Sequence, residues 1–135
     1  MKLELTDKQF RRLLDLVYVG NWIMNSARIE DRIVEFDDVE SAVFKHCENV
    51  DMSMLAETFH GKIIPSREFC EGGIHEVISE YENVVFFEIL AEELARRDMQ
   101  DAGTDENDEQ ELCRRMTAYI HEFERNGTDN IVLDA

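Results

Sequence analysis

The sequence predicts an all-α fold, a compact bundle of five to six helices that forms one globular domain over residues 1–135. One proline and six glycines in 135 residues favour long regular elements over turns. An apolar content of 44% beside a charged content of 33% is typical of a chain that folds around a core. Apolar residues also recur at helical spacing in several segments, which is the main sign of amphipathic helices.

The first helix is expected over Asp7–Arg28, after a short alternating segment, Lys2–Leu5, that is typical of a strand. Thr6 followed by Gln9 is the signature of a capping box. Apolar residues occupy most of the circumference of this helix, so we expect it to be a central core helix that other elements surround. Trp22 is the exception, because it falls on the narrow polar side. The core side is expected to be centred on Phe10, Leu13, Val17, Gly20 and Met24, with Leu14, Leu16, Tyr18, Val19 and Ile23 on its flanks.

The rest of the chain predicts further helices from ordinary start and stop signals. Asp37, Ser66 and Asn83 are expected N-caps, and Gly127 is an expected C-cap. The segment Asn130–Asp134 is expected to pair with the N-terminal strand in a small two-stranded sheet. In chain order, helical segments are predicted over Asp38–Asn49, Met52–Phe59, Ile74–Tyr81, Val84–Met99 and Asp105–Asn126, with a short turn over Ser66–Phe69. The first of these helices would bury Val39, Val43, His46, Cys47 and Val50.

The net charge of −17 is unevenly distributed along the chain. Residues 1–35 carry six acidic and six basic residues, so residues 36–135 carry the whole net charge. The segment Glu71–Glu111 contains fourteen acidic and two basic residues. Such a field repels nucleic acid and anionic membranes and attracts cationic ligands or basic protein surfaces. We therefore expect no direct contact with nucleic acid or a membrane. Alternatively, the acidic residues bind no partner and only keep the protein surface solvated.

Cysteine usage and the N-terminal residues predict a cytoplasmic protein. Cys47, Cys70 and Cys113 are odd in number and far apart, which is typical of reduced thiols in the cytosol. Residues Met1–Phe10 lack the apolar core of an export signal. The apolar segment Leu13–Asn25 is shorter than the roughly 20 residues of a membrane-spanning helix.

Two short segments contain residue types that bind metals in other proteins. Glu57 and His60 have the spacing that places two ligands on one helix face, but di-iron sites of this kind need a second such motif. Cys70 and His75 flank two glycines, and they would either supply a thiolate and an imidazole to zinc or hold a thiolate near a histidine. Since both segments lack the remaining ligands of a standard site, we predict no metal, no cofactor and no catalytic residue.

The segments LVYVGNWIMN, Leu16–Asn25, and AEELARRDM, Ala91–Met99, resemble those of a group of short, acidic, uncharacterised bacterial proteins. The resemblance extends over most of the chain. It implies a bacterial cytoplasmic protein, and it implies neither an activity nor a functional residue.

These observations predict a non-enzymatic protein-interaction or regulatory protein. Its contact surface is expected on the first helix at Trp22, Tyr18 and Arg11, because aromatic residues and arginine are the usual anchors of such contacts. The contact would be made to a protein partner or to a second copy in a homodimer; alternatively, another element of the chain covers Trp22. A second hypothesis is a nucleic-acid mimic whose carboxylates over Glu71–Glu111 inhibit a basic DNA- or RNA-binding protein. The third is a metal-dependent enzyme that uses Glu57, His60, Cys70 and His75.

Overall fold

The computed structural model describes residues 1–134, which divide into two compact units. The first unit is Met1–Ile78, and the second begins at Ser79. In chain order the elements are α1 (Asp7–Asn25), α2 (Val34–Phe44), β1 (Ala56–Phe59), β2 (Lys62–Pro65), α3 (Arg67–Phe69), α4 (His75–Asp101) and α5 (Glu109–Asn126).

The predicted mostly helical fold is confirmed, although the number of helices differs. Within residues 1–134, four helices are longer than two turns, where five to six are predicted. In the helix predicted over Met52–Phe59, only Ser53–Leu55 form a single helical turn; Ala56–Phe59 are instead strand β1 of the antiparallel hairpin β1–β2, in which Phe59 pairs with Lys62. His60 and Gly61 connect the strands with φ angles of 49° and 78°, and two successive positive φ angles match the twist of a tight hairpin. The helical prediction for this part was wrong because the apolar spacing of so short a segment fits a helix and a strand equally well. The tight turn at His60 and Gly61 favours the strand.

α4 is one continuous helix where the sequence predicts two, over Ile74–Tyr81 and Val84–Met99. Asn83 lies inside this helix and does not cap it. An asparagine in a helix interior costs no more than about 0.7 kcal/mol relative to alanine. That cost is too small to end a helix whose neighbouring residues are apolar or strong helix formers.

The two ends of the chain form no sheet within the described residues. Residues 1–5 and 131–134 contain no strand, so the predicted pairing of Lys2–Leu5 with Asn130–Asp134 is wrong. Asn130 instead donates from Nδ2 to the Glu122 carboxylate at 2.6 Å, and the Ile131 amide donates to the Thr128 carbonyl at 3.0 Å. These bonds turn the segment back beside α5.

The predicted caps are confirmed at three helix ends. The capping box of α1 is complete, because the Gln9 amide donates to Thr6 Oγ1 and the Thr6 amide donates to Gln9 Oε1. Ser66 caps α3 through its hydroxyl oxygen, and Gly127 ends α5 at a φ of 55°. α5 begins at Glu109, after the N-cap Asp108, which is four residues later than predicted.

The buried face of α1 differs from the predicted one. Leu16 and Ile23 are 70% and 61% exposed, so α1 is not the fully surrounded helix that its apolar content suggested. The residues that are buried include two asparagines, Asn21 and Asn25. Because their amides are fully hydrogen-bonded, the side of α1 that carries them is buried at little cost.

A small aromatic core holds the first unit together. The Phe69 ring meets the rings of Phe44 and Tyr18 edge to face, with centroids 5.1 and 5.2 Å apart. α2 begins four residues before its predicted start, so Val39 and His46, predicted as buried, are exposed. The main hydrophobic cluster of this unit consists of Phe10, Leu14, Phe44, Cys47 and Phe69.

The second unit is a helical hairpin formed by α4 from Ser79 onward and by α5. The rings of Phe87 on α4 and Phe123 on α5 lie 5.4 Å apart, centroid to centroid. Closer to the connecting loop, the Tyr119 hydroxyl donates to the Asp98 carboxylate. The two contacts join the helices along their length.

Gly73 marks the break between α3 and α4, with a φ of 110°. Side chains disfavour that conformation, and a Cβ at Gly73 would also lie 3.3 Å from the Glu76 carboxylate. Gly73→Ala is therefore expected to lower the free energy of unfolding by about 1–2 kcal/mol. Gly72→Ala is the matched control, since its φ is −85° and its Cβ would meet no described atom within 4 Å. Chemical denaturation compares the two variants, and an equal loss in both would contradict the assignment.

Candidate interaction site

A polar pocket lies on the first unit, where one face of α1 meets α2 and the segment between them. Its volume is about 330 Å³. Tyr18 and Trp22 are four residues apart on α1, so their rings stand on the same face of the helix and form one wall. The lining residues are Tyr18, Asn21, Trp22, Asn25, Ser26, Arg32 and Glu40.

Asn25 fixes the shape of the pocket by binding the segment that follows α1. Its Oδ1 accepts from the Ile33 amide at 2.8 Å, while its Nδ2 donates to the Ile33 carbonyl at 3.0 Å and to Asn21 Oδ1 at 2.7 Å. Asn21 in turn donates from Nδ2 to Asp37 at 2.9 Å and to Glu40 at 3.1 Å. A continuous chain of hydrogen bonds thus connects α1, the following segment and α2.

The network contains three charged residues, Arg32, Asp37 and Glu40, and the pKa values of its two carboxyl groups are shifted in opposite directions. Arg32 donates two hydrogen bonds to Asp37, at 2.6 and 2.7 Å, and this bond holds the pKa of the Asp37 carboxyl below its usual range. Burial raises the pKa of the half-buried Glu40 carboxyl, against the lowering effect of Asn21. Arg32 makes its ion pair with Asp37, and Glu40 makes no ion pair of its own within residues 1–134, although the charge of Arg32 also acts to lower the pKa of the Glu40 carboxyl.

Tyr18 is held by three neighbours. Its ring packs on Phe69, its hydroxyl oxygen lies 2.6 Å from His75 Nε2, and the Cys70 thiol lies 3.8 Å from the same oxygen. Burial, reinforced by Cys70, raises the pKa of Tyr18 above its usual value. Trp22 packs edge to face against the His75 ring at 6.4 Å, so the same imidazole supports both aromatic residues of the pocket wall.

Arg11, the third predicted contact residue, lies outside the pocket lining. Its guanidinium donates to Asp15 at 2.8 Å and stands 5.1 Å from the centroid of the Phe69 ring. The structure therefore brings Tyr18 and Trp22 together and places Arg11 beside the core ring on which Tyr18 packs.

The metal-ligand candidates are not gathered at one site. Glu57 lies in β1 and His60 in the hairpin turn, so they do not share the helix face on which the spacing argument depends. His75 contacts Tyr18, and Cys70 lies near the same hydroxyl. Among residues 1–134, no group of three or more histidine, cysteine, aspartate or glutamate side chains is placed to hold a metal ion.

Five residues that line this site were not predicted from the sequence: Asn21, Asn25, Ser26, Arg32 and Glu40. The signal for the two asparagines is present, because they lie four residues apart in the otherwise apolar second half of the helix. Buried polar side chains are hydrogen-bonded, so such a pair indicates polar partners opposite. Arg32 and Glu40 carry no such signal in a chain that is one-third charged.

Comparison with known proteins finds no family model that matches this chain, and no curated protein or solved structure that is significantly similar to it. Within the described residues, every helix is too short or too polar to cross a membrane.

Proposed function

We propose that this chain is a non-enzymatic interaction protein, and that its pocket receives a lysine or arginine side chain of a partner protein. One observation carries the proposal. Two aromatic rings, Tyr18 and Trp22, and the half-buried carboxylate of Glu40 line the same pocket. Aromatic faces attract a cation through their quadrupoles, and a carboxylate adds a charge-assisted hydrogen bond.

Glu40 supports the proposal because its ionised form opposes folding. A carboxyl whose pKa is raised in the folded state stabilises the fold at low pH, and that contribution is lost as the pH rises through the raised value. A cation bound in the pocket would offset this cost. A residue that reduces stability at a concave site is typical of a residue retained for binding.

The charge of the whole chain supports a basic partner. A net charge of −17 raises the encounter rate with a positively charged surface and lowers it for a second copy of the chain. The pocket interaction itself combines about 0.5–2 kcal/mol from the aromatic faces with about 1.5–3 kcal/mol from the carboxylate. These contributions sum to about 2–5 kcal/mol before the cost of association, so an isolated cationic side chain should bind weakly, with a dissociation constant on the order of millimolar or higher.

Titration of the protein with Nα-acetyl-lysine amide tests the proposal directly. Trp22 is the only tryptophan of the chain, so its fluorescence reports on this pocket alone. Glu40→Gln is expected to weaken binding by about tenfold or more, while thermal stability stays equal or rises. Affinity should also fall as the pH falls through the raised pKa of Glu40, because protonation removes the charge.

Two controls make that experiment specific. Nα-acetyl-norleucine amide has a similar length without the charge and should not bind. Glu48→Gln removes an exposed carboxylate outside the pocket and should leave affinity unchanged. Equal binding by wild-type protein and Glu40→Gln would contradict the proposal.

A nucleic-acid mimic is the second proposed function. The exposed glutamates Glu80, Glu82 and Glu88 on α4 support it, since exposed carboxylates on several sides of one helix surround it with negative charge. Binding to a basic nucleic-acid-binding protein that weakens steeply with salt, and that does not depend on Glu40, would favour the mimic over the pocket.

A further inference from the structure

The second unit contains an apolar groove between α4 and α5. Its volume is about 360 Å³. Val84 and Phe87 contribute to it from α4, and Ile120 and Phe123 from α5. The Phe87 and Phe123 rings are in contact, whereas Val84 remains 55% exposed. The groove is therefore an apolar surface that the hairpin itself leaves open.

The edge of this groove is acidic. Glu88 on α4 and Glu124 on α5 complete the lining together with Asn83, and no basic residue lines the groove within the described part of the chain. The surrounding hairpin, residues 79–126, carries fourteen acidic and five basic residues, a net charge of −9. An apolar floor with a negative rim complements a ligand that is apolar on one side and positive on the other.

This charge decides between the two occupants that suit an apolar groove between helices. A second copy of the chain would bring another −9 to the same place, and like charges that face each other across an interface oppose association. A helix with leucine-type residues on one face and lysine or arginine on the other would bury its apolar face in the groove and place its positive residues beside Glu88 and Glu124.

We propose that the groove between α4 and α5 binds a basic amphipathic helix of a partner protein. Its apolar side chains, spaced at i, i+3 or i+4 and i+7, pack on Val84, Phe87, Ile120 and Phe123. This surface is distinct from the Tyr18–Trp22 pocket and goes beyond the function proposed for that pocket. Each of the two proposals can therefore fail without the other.

A designed peptide tests the groove. The probe is a fluorescein-labelled, amidated 18-residue peptide of leucine and lysine with the leucines on one helical face. The control peptide has the same composition in an order that spreads the leucines around the helix. We expect saturable binding of the first, measured by fluorescence anisotropy with the full chain, and at least tenfold weaker binding of the second.

Two matched variants locate the binding surface. Val84→Asp places a charge in the groove and is expected to weaken binding of the amphipathic peptide by tenfold or more. Ile89→Asp places the same charge on the same helix outside the groove, at a side chain that is 56% exposed, and should change affinity less than twofold. The double variant Glu88→Gln/Glu124→Gln leaves the apolar floor intact and should weaken binding severalfold at low salt. Circular dichroism confirms that each variant is folded.

Three results would overturn this proposal. The first is equal affinity for the two peptides, and the second is an equal effect of Val84→Asp and Ile89→Asp. The third is a dimer in sedimentation equilibrium that Val84→Asp dissociates, because that would assign the groove to a second copy. If Glu40→Gln weakens peptide binding and Val84→Asp does not, the groove proposal fails while the pocket proposal stands. The reverse result supports the groove.

Discussion

Replacing Phe69 with alanine is expected to lower the free energy of unfolding by about 3–5 kcal/mol, because the residue fills the centre of the first unit. Its side chain is almost fully buried and meets the Phe44 and Tyr18 rings edge to face. The Arg11 guanidinium lies over the same ring. Truncation removes these contacts together and leaves a cavity, which is the costliest kind of core substitution.

Urea denaturation followed by circular dichroism, which reports on the helices of both units, measures the effect of Phe69→Ala. The matched control is Phe86→Ala, which deletes the same atoms from a side chain that is about half exposed. The control should lose no more than about 1 kcal/mol, because much of that ring is already in water. Similar losses in the two variants would contradict the assignment of Phe69 to the core.

The loss of Phe69 should also alter the candidate site. Tyr18 depends on the Phe69 ring for its position, and Tyr18 forms one wall of the pocket with Trp22. Phe69→Leu keeps most of the volume and should remain folded, with a loss below that of the alanine variant. In this variant we expect the pocket to persist but its affinity for a cationic side chain to fall.

Asn25→Ala is expected to lower the free energy of unfolding by about 2–3 kcal/mol. The substitution removes the partner of the Ile33 amide, of the Ile33 carbonyl and of Asn21 Oδ1, and Asn25 itself is 1% exposed. Buried polar groups that lose their partners cost more than the hydrogen bonds themselves contribute. The main effect should be release of the segment between α1 and α2, which carries Arg32.

Asn25→Asp separates the hydrogen-bond explanation from a packing explanation. Aspartate has nearly the shape of asparagine and still accepts from the Ile33 amide, but it does not donate to the Ile33 carbonyl. It also adds a negative charge to a network that already contains Asp37 and Glu40. We expect it to be at least as destabilising as alanine near neutral pH. Thermal denaturation measures both variants, with the exposed Asn107→Ala as control, and a stable Asn25→Asp would contradict the role of the amide.

Several features of the fold follow from the sequence alone, since they depend on neighbouring residues. The capping box of Thr6 and Gln9 and the terminal glycine at Gly127 act over three or four residues, and both lie where local rules place them. The high content of helix formers and the single proline also determine the mostly helical class.

The features that form the candidate site were decided by contacts between distant residues. The sequence presents apolar residues almost all round α1, so periodicity does not choose between its faces. The choice depends on where hydrogen-bond partners lie, and Asn21 and Asn25 find theirs at Ile33, Asp37 and Glu40, eight to nineteen residues away. The hairpin β1–β2 was likewise decided by strand pairing over a run that also fits a helix. A buried amide gains stability only when a partner is present, and the partner is supplied by the tertiary structure.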